Sequence, residues 1–92
     1  MKLSFTGRAL HDLSRLRAFI SKDNPQAARR ISQALRGSIR HLADHPQMGD
    51  ALAAPAGVRR WVAGPYVVHY MIDGQTLTVL RIWHGREQRT ET

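Results

Sequence analysis

Seven side chains beyond residue 58 have the chemistry to act on a phosphodiester: Arg59, Arg60, His69, Arg81, His84, Arg86 and Arg89. Arginine grips phosphate through paired, charge-assisted hydrogen bonds, and histidine exchanges a proton near neutral pH. Attack by a ribose 2′-OH on its neighbouring phosphate needs both: a cation for the developing charge and a carrier for the proton. Arg59, His69, Arg81, His84 and Arg86 are therefore the catalytic candidates if the chain is a nuclease. A basic sheet edge accounts for the same residues without catalysis, because edges are commonly blunted with charge. Trp61 and Trp83 fit base stacking or ordinary packing. As anchors for a macromolecular target without catalysis, the candidates are Arg59, Arg60, Trp83, His84, Arg86 and Arg89.

Other chemistries lack their residues. No GxxxxGK[ST], GxGxxG or HExxH pattern occurs, and no serine sits in a nucleophile elbow. His41 and His45 share a helix face, but no third ligand accompanies them, and a polar helix end explains them. Neither a metal nor a cofactor is expected. With no cysteine, disulfides, thiolate nucleophiles and iron–sulfur clusters are excluded, which fits a reducing cytoplasm. No apolar run approaches the roughly 18 residues of a membrane span, and the start, Met1-Lys2-Leu3-Ser4-Phe5, lacks a signal-peptide core. The expected location is cytoplasmic, with no membrane partner.

Charge is the strongest compositional signal. Fourteen Lys and Arg against seven Asp and Glu give +7, and only Lys2 and Lys22 are lysine. Such a surface attracts polyanions or an acidic protein. The 92 residues make a single domain, 1–92.

The elements that must hold these side chains follow from periodicity. Lys2–Phe5 is a short extended start, and Thr6 is a helix cap. Ala9, Leu13, Leu16 and Ile20 form a helical stripe, widened by Leu10 and Phe19, that ends near Ser21. Asp23-Asn24-Pro25 opens a second helix whose stripe is Ala28, Ile31, Leu35, Ile39 and Leu42, ending near Asp44 ahead of Pro46. Residues 45–55 read as loop. Three strands follow, Val58–Ala63, Tyr66–Ile72 and Leu77–Trp83, joined at Gly64-Pro65 and Asp73-Gly74. The fold class is α+β, in the order β-α-α-β-β-β, with a helical hairpin on one face of a small antiparallel sheet and the first strand at an edge. Tyr66, Val68, Tyr70 and Ile72 are the expected core face. Strict alternation in the last strand sets Thr78, Leu80, Ile82 and His84 against Leu77, Val79, Arg81 and Trp83. Arg81, in an apolar strand, needs a partner: Asp12 if it faces the helices, Glu87 or a ligand if it faces outward. Gly85 lets the chain turn, so His84 and Arg86 are expected at a rim beside Arg59 and His69.

Taken in order, the motifs are Ala9-x-x-Asp12-Leu13-x-x-Leu16-x-x-Phe19-Ile20, Asn24-Pro25-x-Ala27-Ala28, Leu42-x-x-His45-Pro46-x-x-Gly49, Val58-Arg59, Gly64-x-Tyr66-Val67-Val68-x-Tyr70 and Leu80-Arg81-Ile82-Trp83-His84-Gly85-Arg86. Together they resemble the RelE/ParE superfamily of toxins from bacterial type II toxin–antitoxin modules, over nearly the whole chain. Pro46-x-x-Gly49 followed by Val58-Arg59-Arg60 is similar to the ParE-like branch. That resemblance implies a toxin that is not itself an enzyme, poisons DNA gyrase and is neutralised by a cognate antitoxin in a hetero-oligomer. The alternative is a RelE-like, metal-independent endonuclease acting on mRNA in the ribosome. Val67 stands where those nucleases often carry Arg, no Lys follows Lys22, and the tail Arg89-Thr90-Glu91-Thr92 lacks their tyrosine, although Arg86 matches a basic position. A third alternative is an inactive basic binding module. An acidic, amphipathic C-terminal segment of the antitoxin is expected to fold over the helices and can also add a strand to the sheet, with Arg15, Arg29, Arg36 and Arg40 as its contacts.

Overall fold

Two polar side chains start the helices, as their types and positions predict. The Thr6 hydroxyl accepts from the Ala9 N–H at 3.0 Å and opens α1 (Gly7–Ser21). The Asn24 side-chain oxygen accepts from the Ala27 N–H at 3.0 Å, and Pro25 begins α2 (Pro25–Asp44). Each bond answers an amide that the first helical turn leaves unpaired. The computed structural model describes residues 1–22 and 24–87, so Asp23 and Arg89 lie outside the described residues.

The strands are β1 (Lys2–Phe5), β2 (Asp50–Ala51), β3 (Val58–Ala63), β4 (Tyr66–Asp73) and β5 (Thr76–His84), in the spatial order β1-β5-β4-β3-β2. The α+β layering and the edge position of β1 are as the sequence implies. The sheet, however, is mixed rather than antiparallel throughout, because β1 runs parallel to β5, with Lys2 opposite Thr76 and Phe5 opposite Val79. The unexpected β2 accounts for this. It pairs antiparallel with β3 and so reverses the chain once more after α2, leaving β3 and β5 pointing the way β1 does. Asp and Ala are poor strand formers, so nothing in the sequence marks it.

The core lies between the helices and one sheet face. Ala9, Leu16, Leu35, Ile39 and Leu42 pack on Tyr66, Val68, Tyr70, Leu77, Val79 and Ile82, with Ile72 partly buried beside them. The β4 face chosen from alternation is the buried one. In β5 the alternation breaks: Tyr70 pairs with Val79 but His69 with Arg81, so Leu80 is the extra residue of a β-bulge. The bulge brings Ile82 onto the face of Leu77 and Val79, where strict alternation set it opposite them. On α1 the buried stripe is narrower than expected, since Leu10 and Phe19 are exposed while Asp12 is buried.

Tyr70 fixes the connection after α2. Its hydroxyl donates to the Pro46 carbonyl at 2.7 Å and accepts from the Gly49 N–H at 3.0 Å and from Arg59 Nε at 3.3 Å. Arg59 also donates to the carbonyls of Gln47 and Gly49. A Cβ on Gly49 would stand 2.6 Å from the Tyr70 hydroxyl and 2.8 Å from the Arg60 carbonyl. Gly49→Ala is therefore expected to cost about 2 kcal/mol through overpacking. Thermal melting should read a fall of about 8–16 °C. Gly7→Ala, where a Cβ meets nothing within 4 Å, should show no such fall.

Candidate functional site

Strand β5 outruns its neighbour β1, whose pairing stops at Val79. Beyond that point α1 and the turn after β5 take over the free edge. The Thr6 N–H donates to the Val79 carbonyl at 3.0 Å, and the Thr6 hydroxyl donates to the Leu80 carbonyl at 3.0 Å. Asp12 Oδ2 accepts from the Ile82 N–H at 2.9 Å, while Arg15 Nη2 donates to the Ile82 carbonyl at 3.1 Å. Glu87 Oε1 accepts from the His84 N–H at 2.8 Å. Side chains thus do what a sixth strand would do, meeting buried backbone groups that cost free energy if left unpaired.

These edge contacts form one charged network. Asp12, only 2% exposed, accepts from Arg81 Nε at 2.9 Å and from Arg15. Arg15 continues to Glu87, at 2.8 Å through Nε and 3.0 Å through Nη2. Burial pushes the Asp12 carboxyl up, but hydrogen bonds from Arg81, the Ile82 N–H and Arg15 together outweigh it and hold the pKa below the ordinary aspartate value. The Arg15 guanidinium likewise holds Glu87 low against burial, helped by the His84 N–H. Glu87, more than Asp12, raises Arg15 in turn. Of the partners open to Arg81, Asp12 is the one found. Arg15, expected among the antitoxin contacts, bonds Asp12 and Glu87 with 34% of its side chain still exposed.

The remaining phosphodiester candidates do not all converge: Arg60, His69 and Arg81 are cross-strand neighbours, whereas Arg59 and His84 lie on the other side of the sheet. Arg59 lies on the helix side beside Tyr70, holding the 46–49 segment. Arg60 pairs with His69 on the opposite face, where the His69 ring meets Trp83 edge-on at 4.6 Å between centroids. Arg81 spans the two sides, with its guanidinium carbon 5.9 Å from the Trp83 ring centre. His84 is back on the helix side, edge-on to Tyr66 at 5.2 Å and 5.8 Å from Phe19. Its Nδ1 accepts from the Arg86 N–H at 2.9 Å and stabilises the closing turn. The Arg86 side chain is exposed and forms no ion pair with the described residues. The rim of Arg59, His69, His84 and Arg86 expected from sequence is thus divided between two faces. The His41 and His45 rings meet at a tilt, 4.6 Å between centroids. Among the described residues no three His, Asp or Glu gather as metal ligands, and no helix is long and apolar enough to cross a membrane.

A second surface lies over the helices. Leu3 and Phe5 of β1 and Leu10 and Leu13 of α1 line a depression of about 330 Å³ walled by Arg36, Gly37 and Arg40 of α2. It continues past Ser14, Arg17 and Ser32 as a smaller hollow of about 200 Å³. Leu10, 53% exposed, is its most open apolar residue. Arg29, Arg36 and Arg40 are exposed and follow one stripe of α2. The sequence signal for this groove was the surplus of apolar residues on α1.

Comparison with known proteins agrees with this geometry. The sequence model of the family described as "ParE toxin of type II toxin-antitoxin system, parDE" matches residues 3–89. Toxin RelE1 of Caulobacter vibrioides is 32% identical over 87 residues, covering 89% of this chain and 90% of its own. Toxin RelE2 of the same organism is 34% identical over 81 residues, covering 88% and 91%. Among solved structures, the chromosomal ParDE TA system from P. aeruginosa aligns with a TM-score of 0.77 at 22% identity, covering 91% of this chain and 95% of the other. The RelBE2 toxin–antitoxin complex from Mycobacterium tuberculosis aligns with a TM-score of 0.68 at 25% identity, covering 90% and 95%.

The network makes stability depend on acid. Asp12 and Glu87 have folded pKa values below their ordinary 3.8 and 4.5, so their contribution is full above those values and is lost as pH falls through the folded ones. The urea midpoint should hold steady from pH 7 to 5 and drop below about pH 4. Asp12→Ala leaves the buried Ile82 amide without its acceptor and takes one partner from each of two guanidiniums, and should cost about 3 kcal/mol. It should also flatten part of the acid slope, as urea titrations at pH 6 and pH 3 would read.

Proposed function

The chain belongs to the ParE toxin family of type II toxin–antitoxin systems, and from that premise we propose that it halts growth by binding and poisoning DNA gyrase rather than by cutting RNA. It is a toxin, and its site of action is the cytoplasm. The observation that carries the gyrase reading is the division of the arginine and histidine set between two faces, with Arg59, Arg81 and His84 held in contacts within the fold. Arg59 is occupied with Tyr70 and Gly49, Arg81 with Asp12, and His84 with the Arg86 amide. A 2′-OH attack needs a proton carrier and a phosphate-binding cation within hydrogen-bond reach of one reacting centre. No pair of these committed groups offers that. The endonuclease reading draws on Arg60 and His69, a cation and a proton carrier paired across adjacent strands, with Arg81 and Trp83 beside them.

Neutralisation falls to an antitoxin, with which the chain forms a hetero-oligomer. Its acidic, amphipathic segment lies over the apolar groove between α1 and α2, with Arg29, Arg36 and Arg40 as counter-charges. The apolar floor and cationic wall of that groove support the assignment. Target contacts fall to exposed Arg60 and Arg86, which the fold leaves without an ion pair among the described residues.

Expression without antitoxin separates the readings. A gyrase poison should give covalent gyrase–DNA cleavage complexes and DNA-damage induction with intact mRNA, and truncated mRNA with stalled translation would instead support the nuclease. Arg86→Ala should weaken target binding about tenfold or more, the usual effect of losing a charge-assisted contact, while the melting temperature and antitoxin binding stay unchanged. His84→Ala should lower the melting temperature as well, because its ring holds the turn. Growth inhibition scored beside melting curves distinguishes the two.

A further inference from the structure

Gly37 sits deep within α2, and nothing among the described residues accounts for it. Glycine is, after proline, the poorest helix former, and a helix interior tolerates it mainly where another element must come close. Here a Cβ built on Gly37 meets nothing within 4 Å. The position is exposed, its backbone is regularly helical, and it faces the groove floored by Leu10 and Leu13. Around that floor stand Arg17, Arg36 and Arg40. Among the described residues none of the three is in an ion pair.

We propose that Gly37 is a notch for the backbone of the antitoxin: an acidic amphipathic helix crosses α2 at this residue, sets its apolar side chains on Leu10 and Leu13, and brings its carboxylates to Arg17, Arg36 and Arg40. The inference rests on the reading that the antitoxin lies over the helices, and it adds the crossing point. The separation of two packed helices is set by the side chains at their contact, so a glycine there permits the closest approach. The three uncompensated guanidiniums select an acidic occupant. They also disfavour a second copy of this chain, which carries +7. A helix residue that weakens the free toxin is retained because the complex uses the space.

The test needs the full chain and its cognate antitoxin. Free chain and complex are compared for Gly37→Ala, Gly37→Leu and the double charge reversal Arg36→Glu with Arg40→Glu. Gly37→Ala should raise the melting temperature of the free toxin by about 4 °C or more. Calorimetric titration should show weaker antitoxin binding, graded with size, reaching at least tenfold for Gly37→Leu. Toxicity without antitoxin should stay at the wild-type level. If Gly37→Leu binds as tightly as wild type while the charge reversal weakens binding, the groove belongs to the antitoxin but the notch does not. If neither changes affinity, the antitoxin lies elsewhere and both readings fall. A lower melting temperature for Gly37→Ala would also overturn the proposal, since the glycine would then serve the toxin's own packing.

Discussion

The structure depends on how the outer edge of β5 is closed. A strand edge left open buries unpaired amides and carbonyls on one side and invites foreign strands on the other. Here α1 lies along that edge and supplies side-chain partners from Thr6, Asp12 and Arg15. Asp12 is the centre of the arrangement, since one buried carboxylate receives a strand amide and two guanidiniums. A buried carboxylate without such partners would cost several kcal/mol. Its cations therefore have to stay, which draws Arg81 and Arg15 out of any pool of free arginines.

This division of labour separates two kinds of arginine in a chain whose composition makes them look alike. Arg15, Arg59 and Arg81 are internal fasteners that join segments far apart in sequence. Arg17, Arg29, Arg36, Arg40, Arg60 and Arg86 are exposed or lie along the groove, and set the external field. Much of the outward charge lies on two regions, the α1–α2 hairpin and the outer side of the sheet with the turn after β5. A toxin that must meet both an antitoxin and a target can present a separate surface to each.

Much of the architecture was legible because it was written in local rules. Thr6 and Asn24 capped the helices they announced, Gly64-Pro65 and Asp73-Gly74 made the turns, and Tyr66, Val68 and Tyr70 marked the buried face. What escaped depended on non-local geometry. Asp50 and Ala51 became a strand only because Arg59 and Arg60 lay alongside. Leu80 looked like an ordinary alternating residue, yet as a bulge it shifted the phase of everything after it. The arginine and histidine set was read as one cluster because neighbouring strands bring those residues near in sequence register. Which face each occupies turned on the parity of β3, the bulge in β5 and the pull of Asp12, none of which periodicity reports. Leu10 and Phe19 were read as core, but they were surplus to it, and Leu10 floors a groove.

The parallel pairing of β1 with β5 has a consequence for how the molecule comes into being. Residues 2–5 find their sheet partner only at residues 76–79, and Asp12 meets its amide at Ile82. The opening segment of a nascent chain therefore waits, unpaired, until almost the last residue of the domain has been made. Contacts of such separation close slowly, because the loop entropy must be met before any reward is gained. A ribosome stalled at any point before β5 would release only a fragment with its core face and β1 uncovered. A chain that ends before β5 thus lacks the strand partner of β1 and the amide partner of Asp12 together.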